Sequence, residues 1–280
     1  MSPIFVGGRR ILGSLSSAPT SGLSAGDEYY NTTENQKYIY NSSSGSWRRI
    51  GGSSGIAQND GDPFNDNSSI AAFRMNGNAT TLSGTVYSGT LSGDNTSGNF
   101  VNGGQFGQYF NATGTRHLNS NSSDIIPSGS YSLSFWYKSN TTGQNNKRVL
   151  TVKGSSISSG WNNYNNSMGF YTGAGVATNS NSYSSVTRVA EIPDASINDN
   201  TWHHLAYTIS ATNSWTIYLD GTAYSGAVSG EGRSFNSGSR FAITTYDGGD
   251  NYNTIGGIDQ VRLFNRVLTT LEIQDLYNES

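Results

Sequence analysis

Cysteine is absent from the chain, which excludes disulfides and thiolate metal sites. Charge is scarce as well. Charged residues make up 12% and hydrophobic residues 34% of the sequence, so most of it is uncharged and polar. A formal net charge of -3 leaves no electrostatic footprint for nucleic acid. The few basic pairs, Arg9-Arg10, Arg48-Arg49 and Lys147-Arg148, read as solvated turns or strand ends. No apolar run approaches the roughly 20 residues of a membrane span, so no membrane insertion is expected. The first ten residues also lack the apolar core of a secretory signal, and an unsecreted protein is expected.

What is present points elsewhere. Gly (35 residues), Ser, Asn and Thr dominate, and 17 Tyr, 11 Phe and 5 Trp stand among them. Disordered chains combine low hydrophobicity with high net charge and few aromatics, and this chain does neither of the latter. Many short strands, Asn/Gly/Ser turns and an aromatic core fit better, so an all-β fold is expected. Asn-x-Ser/Thr triplets, such as those at Asn31, Asn67, Asn95 and Asn140, arise by chance in such a composition and read as unmodified. A polar, unsecreted β-rich chain suits a virus particle assembled in bacterial cytoplasm and released by lysis.

Texture divides the chain into three. Residues 1–50 read as a β-rich attachment or oligomerisation segment, residues 51–61 as a Gly/Ser linker, and residues 62–280 as the main domain. Within the first part, residues 1–13 are short and apolar with Gly. Strands at Glu28–Asn31 and Lys37–Asn41 flank a polar turn, and Trp47 and Ile50 supply a third. A unit this small buries little surface alone. It is therefore expected to pack on other virion proteins or on further copies of itself, a trimer being favoured.

The main domain carries stronger signals. Ile70 opens a strand that ends in a Gly turn, Leu82–Leu91 alternates weakly, and Phe106–Gly114 follows. In Tyr131-Ser-Leu-Ser-Phe-Trp-Tyr-Lys, the residues Tyr131, Leu133, Phe135 and Tyr137 share one face and Trp136 takes the other. Trp202–Ile209 and Ser214–Leu219 read as a hairpin. Phe241–Thr245 and Gly257–Phe264 are the last strong strands. Thr269-x-x-Glu272 is a capping box that starts one helix with an apolar stripe at Leu271, Ile273, Leu276 and Tyr277.

The pattern Gly-Asp-x-Tyr-Tyr-Asn-Thr … Tyr-x-Tyr-Asn … Trp over residues 26–47 resembles segments found in bacteriophage fibre and other virion proteins. Residues 62–280 resemble the laminin-G-like jelly-roll members of the concanavalin A-like lectin and glucanase superfamily. The matching pieces run in order. They are Phe-Arg-Met-Asn-Gly at 73–77, Gly104-Gln-Phe-Gly-Gln-Tyr-Phe-Asn, Ser132-Leu-Ser-Phe-Trp-Tyr-Lys, Asn200-Thr-Trp-His-His-Leu-Ala-Tyr-Thr with Trp215-Thr-Ile-Tyr-Leu-Asp-Gly, and Ile258–Leu268 with its following helix. The resemblance implies a two-sheet antiparallel jelly-roll sandwich with one short C-terminal helix. Fold of this kind does not fix function, because the superfamily holds enzymes, lectins and structural modules.

The candidate sites differ in chemistry. The glucanase branch uses carboxylates in a Glu-x-Asp-x-x-Glu arrangement. None of the Glu residues here makes it, and no enzymatic activity is expected. His203 and His204 are adjacent on a strand and point to opposite faces, so they cannot readily ligate one ion. Sugar binding asks for exposed rings and polar partners. Two polar loops offer them: Trp161 and Tyr164 in one, and Tyr246, Asp247, Asp250 and Tyr252 in the other. The alternative for these rings is packing beneath their own loops or against another subunit. Family members often hold a structural calcium, and the resemblance places Asp259 among its ligands, with Asn76 where an Asp is usual.

The expectation is a phage virion surface protein of fibre or appendage type, binding host-surface or environmental glycans. The alternative is a capsid decoration protein whose sandwich makes only protein contacts.

Overall fold

A computed structural model of the chain describes residues 4–6, 9–32, 36–41, 45–50, 61–64, 66–120, 125, 129–141, 148–154, 167–171, 175–179, 186–190, 196–211, 214–224, 239–244 and 254–279. The aromatic N-terminal segment forms its own sheet from β1 (Ile4–Val6), β2 (Arg9–Leu15), β3 (Glu28–Asn31), β4 (Gln36–Asn41) and β5 (Ser46–Ile50), in that order. The three expected strands are present. Two more precede them, and β2 pairs parallel to β3 while the other neighbours are antiparallel. Tyr29 and Ile39 are buried. Trp47 meets the Tyr29 ring edge-on at 4.7 Å, and its indole N–H donates to the Pro19 carbonyl at 2.8 Å. Arg10 pairs with the buried Asp27 carboxylate and holds its pKa below the usual carboxylate range.

Fifteen further strands follow: β6 (Ser69–Phe73), β7 (Ser92–Gly93), β8 (Phe100–Gly104), β9 (Gly107–Thr113), β10 (Leu118–Asn119), β11 (Tyr131–Lys138), β12 (Arg148–Gly154), β13 (Ser167–Tyr171), β14 (Gly175–Asn179), β15 (Val186–Ala190), β16 (His203–Ile209), β17 (Trp215–Leu219), β18 (Thr222–Ala223), β19 (Ser239–Ile243) and β20 (Ile255–Phe264). They build a seven-stranded sheet, β15-β14-β13-β12-β19-β10-β7, and an eight-stranded sheet, β18-β17-β16-β11-β20-β9-β8, in which β6 also pairs with β20. All of these pairings are antiparallel. The weak alternation at Leu82–Leu91 makes no strand. It contributes a bridge at Thr90 and backbone hydrogen bonds from Leu82, Val86 and Tyr87 to β6, and the Val86 side chain stands in solvent.

Alternation explains the sandwich. On β11 the residues Tyr131, Leu133, Phe135 and Tyr137 enter one core with Phe73, Phe110, Leu205, Tyr207 and Leu263 from the same sheet. Leu118, Leu150, Phe241 and Ile243 meet them from the facing sheet, and Phe73 stacks on Phe241 across the gap, with rings 3° from parallel. Burial of each such ring stabilises by about 1.5–3 kcal/mol. Ser132, Ser134, Trp136 and Lys138 occupy the outer face of the same strand. The expected all-β sandwich with one C-terminal helix is therefore what the chain forms.

The helix α1 (Thr270–Tyr277) lies on that outer face. Its start follows the expected capping box. Glu272 N–H donates to Thr269 Oγ1 at 3.3 Å, and Glu272 Oε2 accepts from Thr269 N–H at 2.8 Å. Ile273 and Leu276 pack with Phe64, Ala206, Tyr218, Phe264 and Leu268 in a second apolar cluster. Tyr277 stacks on Trp136, with centroids 5.8 Å apart.

Candidate functional site

α1 covers only part of the outer face. Toward the other end of the strands, register brings Asn111 of β9, Gly257 of β20 and Lys138 of β11 into one row. Around this row lies a groove of about 310 Å³, walled by Tyr109, Thr113, Ser139, Asn140, Asn200 and Ile255. That volume sits at the low end of the range for small-molecule sites.

Gly257 is what lets two aromatic rings lie directly on the sheet. A Cβ there would lie 2.8 Å from Trp202 Cη2 and 2.8 Å from Tyr109 Cδ2, so both rings rest on bare backbone. The two rings meet edge-to-face at 5.3 Å, and Trp202 Nε1 donates to the Gly103 carbonyl at 3.0 Å. Each ring is thereby held and half-exposed.

The loop before β16 is fixed from behind. Asn200 has a φ of 69°, a left-handed conformation that Asn tolerates better than most residues, and its N–H donates to the Ser139 carbonyl at 2.8 Å. Asp199 Oδ1 accepts from the Thr201 N–H at 2.9 Å. His203 spans Asp220 (Nδ1 to Oδ2, 2.9 Å) and Asp199 (Nε2 to Oδ1, 3.1 Å). The Asp220 bond, with help from Asp199, raises the His203 pKa against the effect of burial. His204 points the other way, under α1, hydrogen-bonded to Ser134 Oγ at 2.7 Å. Burial drives its pKa down to about 3, which makes it a neutral packing residue. The two histidines thus separate to opposite faces, as strand geometry requires.

The two positions expected to ligate a metal both bond backbone amides. Asp259 is fully buried. Its Oδ2 accepts from Phe106 N–H at 2.9 Å and its Oδ1 from Gln260 N–H at 2.8 Å. Burial raises its pKa to about 6, partly offset by these amides and by Arg74. Asn76 is exposed, and its Oδ1 accepts from Gln108 N–H at 2.9 Å. Both side chains brace the turn between β8 and β9. Among the described residues, no group of three His, Asp or Glu side chains could hold an ion.

Trp161, Tyr164, Tyr246, Asp247, Asp250 and Tyr252 lie outside the described residues. The groove residues Tyr109, Asn111, Lys138 and Asn200, and Trp202 behind Tyr109, were not singled out from sequence. A usable signal existed for two of them. Tyr109 and Asn111 alternate with the core residues Phe110 and Ala112, so the strand itself directs them outward.

Sequence comparison agrees with this architecture. Residues 111–274 match the Laminin_G_3 family model of the concanavalin A-like lectin/glucanases superfamily. The chain belongs to that superfamily. No curated protein sequence matches the chain. Among solved structures, it is similar to domain 4 of AbnA, an extracellular arabinanase of Geobacillus stearothermophilus solved with arabinotriose. The TM-score is 0.52 at 19% identity, over 75% of this chain and 98% of that one. It is also similar to the binding domain of Paraclostridial Mosquitocidal Protein 1, with a TM-score of 0.52 at 15% identity over 75% of this chain. The binding domain of botulinum neurotoxin serotype D/C gives a TM-score of 0.51 at 18% identity over the same share. The chain spans 52% of each toxin domain. At these identities the likeness is one of fold.

Proposed function

We propose that the chain is a glycan-binding protein without catalytic activity, with the groove around Gly257 as its sugar site. The groove's composition carries this reading. The Tyr109 ring is available to stack on a sugar face, with Trp202 holding it from behind. Asn111, Asn140 and Asn200 supply amides that both donate and accept, and Thr113 adds a hydroxyl. No carboxylate is among its described lining residues, whereas glycoside hydrolysis uses a pair of them. The arabinotriose held by the Geobacillus domain makes oligosaccharides the first ligands to try.

The setting proposed is a bacteriophage particle, with residues 1–50 attaching the chain to other virion proteins and the sandwich facing host or environmental glycans. The aromatic N-terminal pattern supports that setting. A glycan array probed with the full chain tests the sugar site. Specific binding lost in Tyr109→Ala and Asn111→Ala, at unchanged melting temperature, is the expected result. An array blank for the wild type would overturn the reading. Phage adsorption unchanged by deletion of 62–280 would instead favour a decoration role.

A further inference from the structure

Lys138 gives the groove a charge. It stands at the outer end of β11, half-buried, opposite Gly257 and in line with Asn111. Other cations with described side chains have partners. Arg10 pairs with Asp27, Arg262 with Glu279, and Arg266 with both Asp66 and Glu272. Arg116 donates to the backbone carbonyl of Asn111 at 3.1 Å, which places a second cation beside the groove. Lys138 has no carboxylate partner among the described residues, and none of the groove's described lining residues is acidic. Among the described residues of a chain of net charge -3, this ammonium group is thus left uncompensated where a ligand would sit.

We infer that the groove selects a sugar residue carrying one negative charge, with Lys138 as the residue that sets the preference. This rests on the sugar-site reading above and sharpens it. Amides and hydroxyls alone suffice for a neutral sugar. The ammonium adds a charge-assisted hydrogen bond that only an anionic ligand can accept. It is a compact point charge on a flexible stem, with three donors and no acceptor. A carboxylate or an ester sulfate would satisfy it, with the neighbouring Asn amides donating to the remaining oxygens.

The test uses the full chain and three versions of one oligosaccharide: neutral, oxidised to the uronate, and sulfated. Affinity is measured by calorimetry at low and at high salt. The expected result is an anionic form bound about tenfold or more tightly than the neutral one, with the advantage shrinking in salt. Lys138→Met should level the anionic and neutral affinities, while Lys138→Arg keeps the order. A preference for the uronate or for the sulfate supports the inference and identifies the charged group. Equal binding of all three forms would overturn the charge preference while leaving the sugar site standing. No binding of any form to the wild type would overturn both.

Discussion

One sheet face has two fates. Trp136 and Lys138 leave β11 on the same side, two residues apart. The first is buried beneath α1, against Tyr277 and His204, and the second lines an open groove. The covered half is apolar and closed: Phe264, Leu268, Ile273 and Leu276 shed water together. Polar groups at its border bond within the protein, as when Ser132 Oγ donates to the Arg266 carbonyl at 2.7 Å. The open half has amides, hydroxyls and a lysine around a glycine floor. A small helix that covers half of a sheet leaves the other half free to solvent, and each half can then be disturbed separately.

The covered half should respond in stability alone. Phe264→Ala removes a fully buried ring that packs on Phe64 at 5.4 Å. A loss of about 3–5 kcal/mol is expected in urea denaturation, with sugar affinity unchanged in the fraction that stays folded. A matching loss of affinity would mean that the two halves are not independent.

The open half should respond mainly in binding. Gly257→Val forces the Tyr109 and Trp202 rings off the floor, because even its Cβ would lie 2.8 Å from each of them. Overpacking of this kind costs about 1–3 kcal/mol, and ligand binding should disappear along with the groove. Retained affinity in a folded Gly257→Val variant would show that the sugar sits elsewhere.

The smallest effect joins the two halves through pH. His203 ties the groove loop to Asp220 on the turn after β17, and its folded pKa is raised above 6.5. Its contribution is therefore fully present below pH 6.5 and is lost as pH rises through the folded value. Wild type and His203→Gln should differ most in melting temperature at mildly acid pH and converge in alkali. A gap that is constant across pH would show that the imidazole acts by packing and not by charge. Chelation, by contrast, should leave binding in the groove unchanged, since its described lining residues include no carboxylate.

Local signals made much of the fold legible. The alternation in β11, the hairpin of β16 and β17, and the Thr269–Glu272 cap are all written within a few residues of one another. The parallel pairing of β2 with β3 is not, because it joins Ile11 to Glu28 across an intervening loop. The groove was hidden for the same reason. Asn111, Lys138 and Gly257 are far apart in sequence and become neighbours only through strand register. Loop aromatics stand out in a sequence because sugar sites commonly use loops, whereas an outward ring on a strand, such as Tyr109, resembles core. The contacts of Asp259 with the Phe106 and Gln260 amides were equally invisible, because Phe106 lies far away in sequence.

The bare floor at Gly257 also constrains how such a site could diversify. No other residue fits beneath the two rings, so the centre of the groove is locked while its rim is not. Asn140 and Thr113 project from exposed positions and can be exchanged at little cost to packing. If sugars bind there, descendants of this chain would change what they recognise by rewriting that border around a fixed aromatic platform.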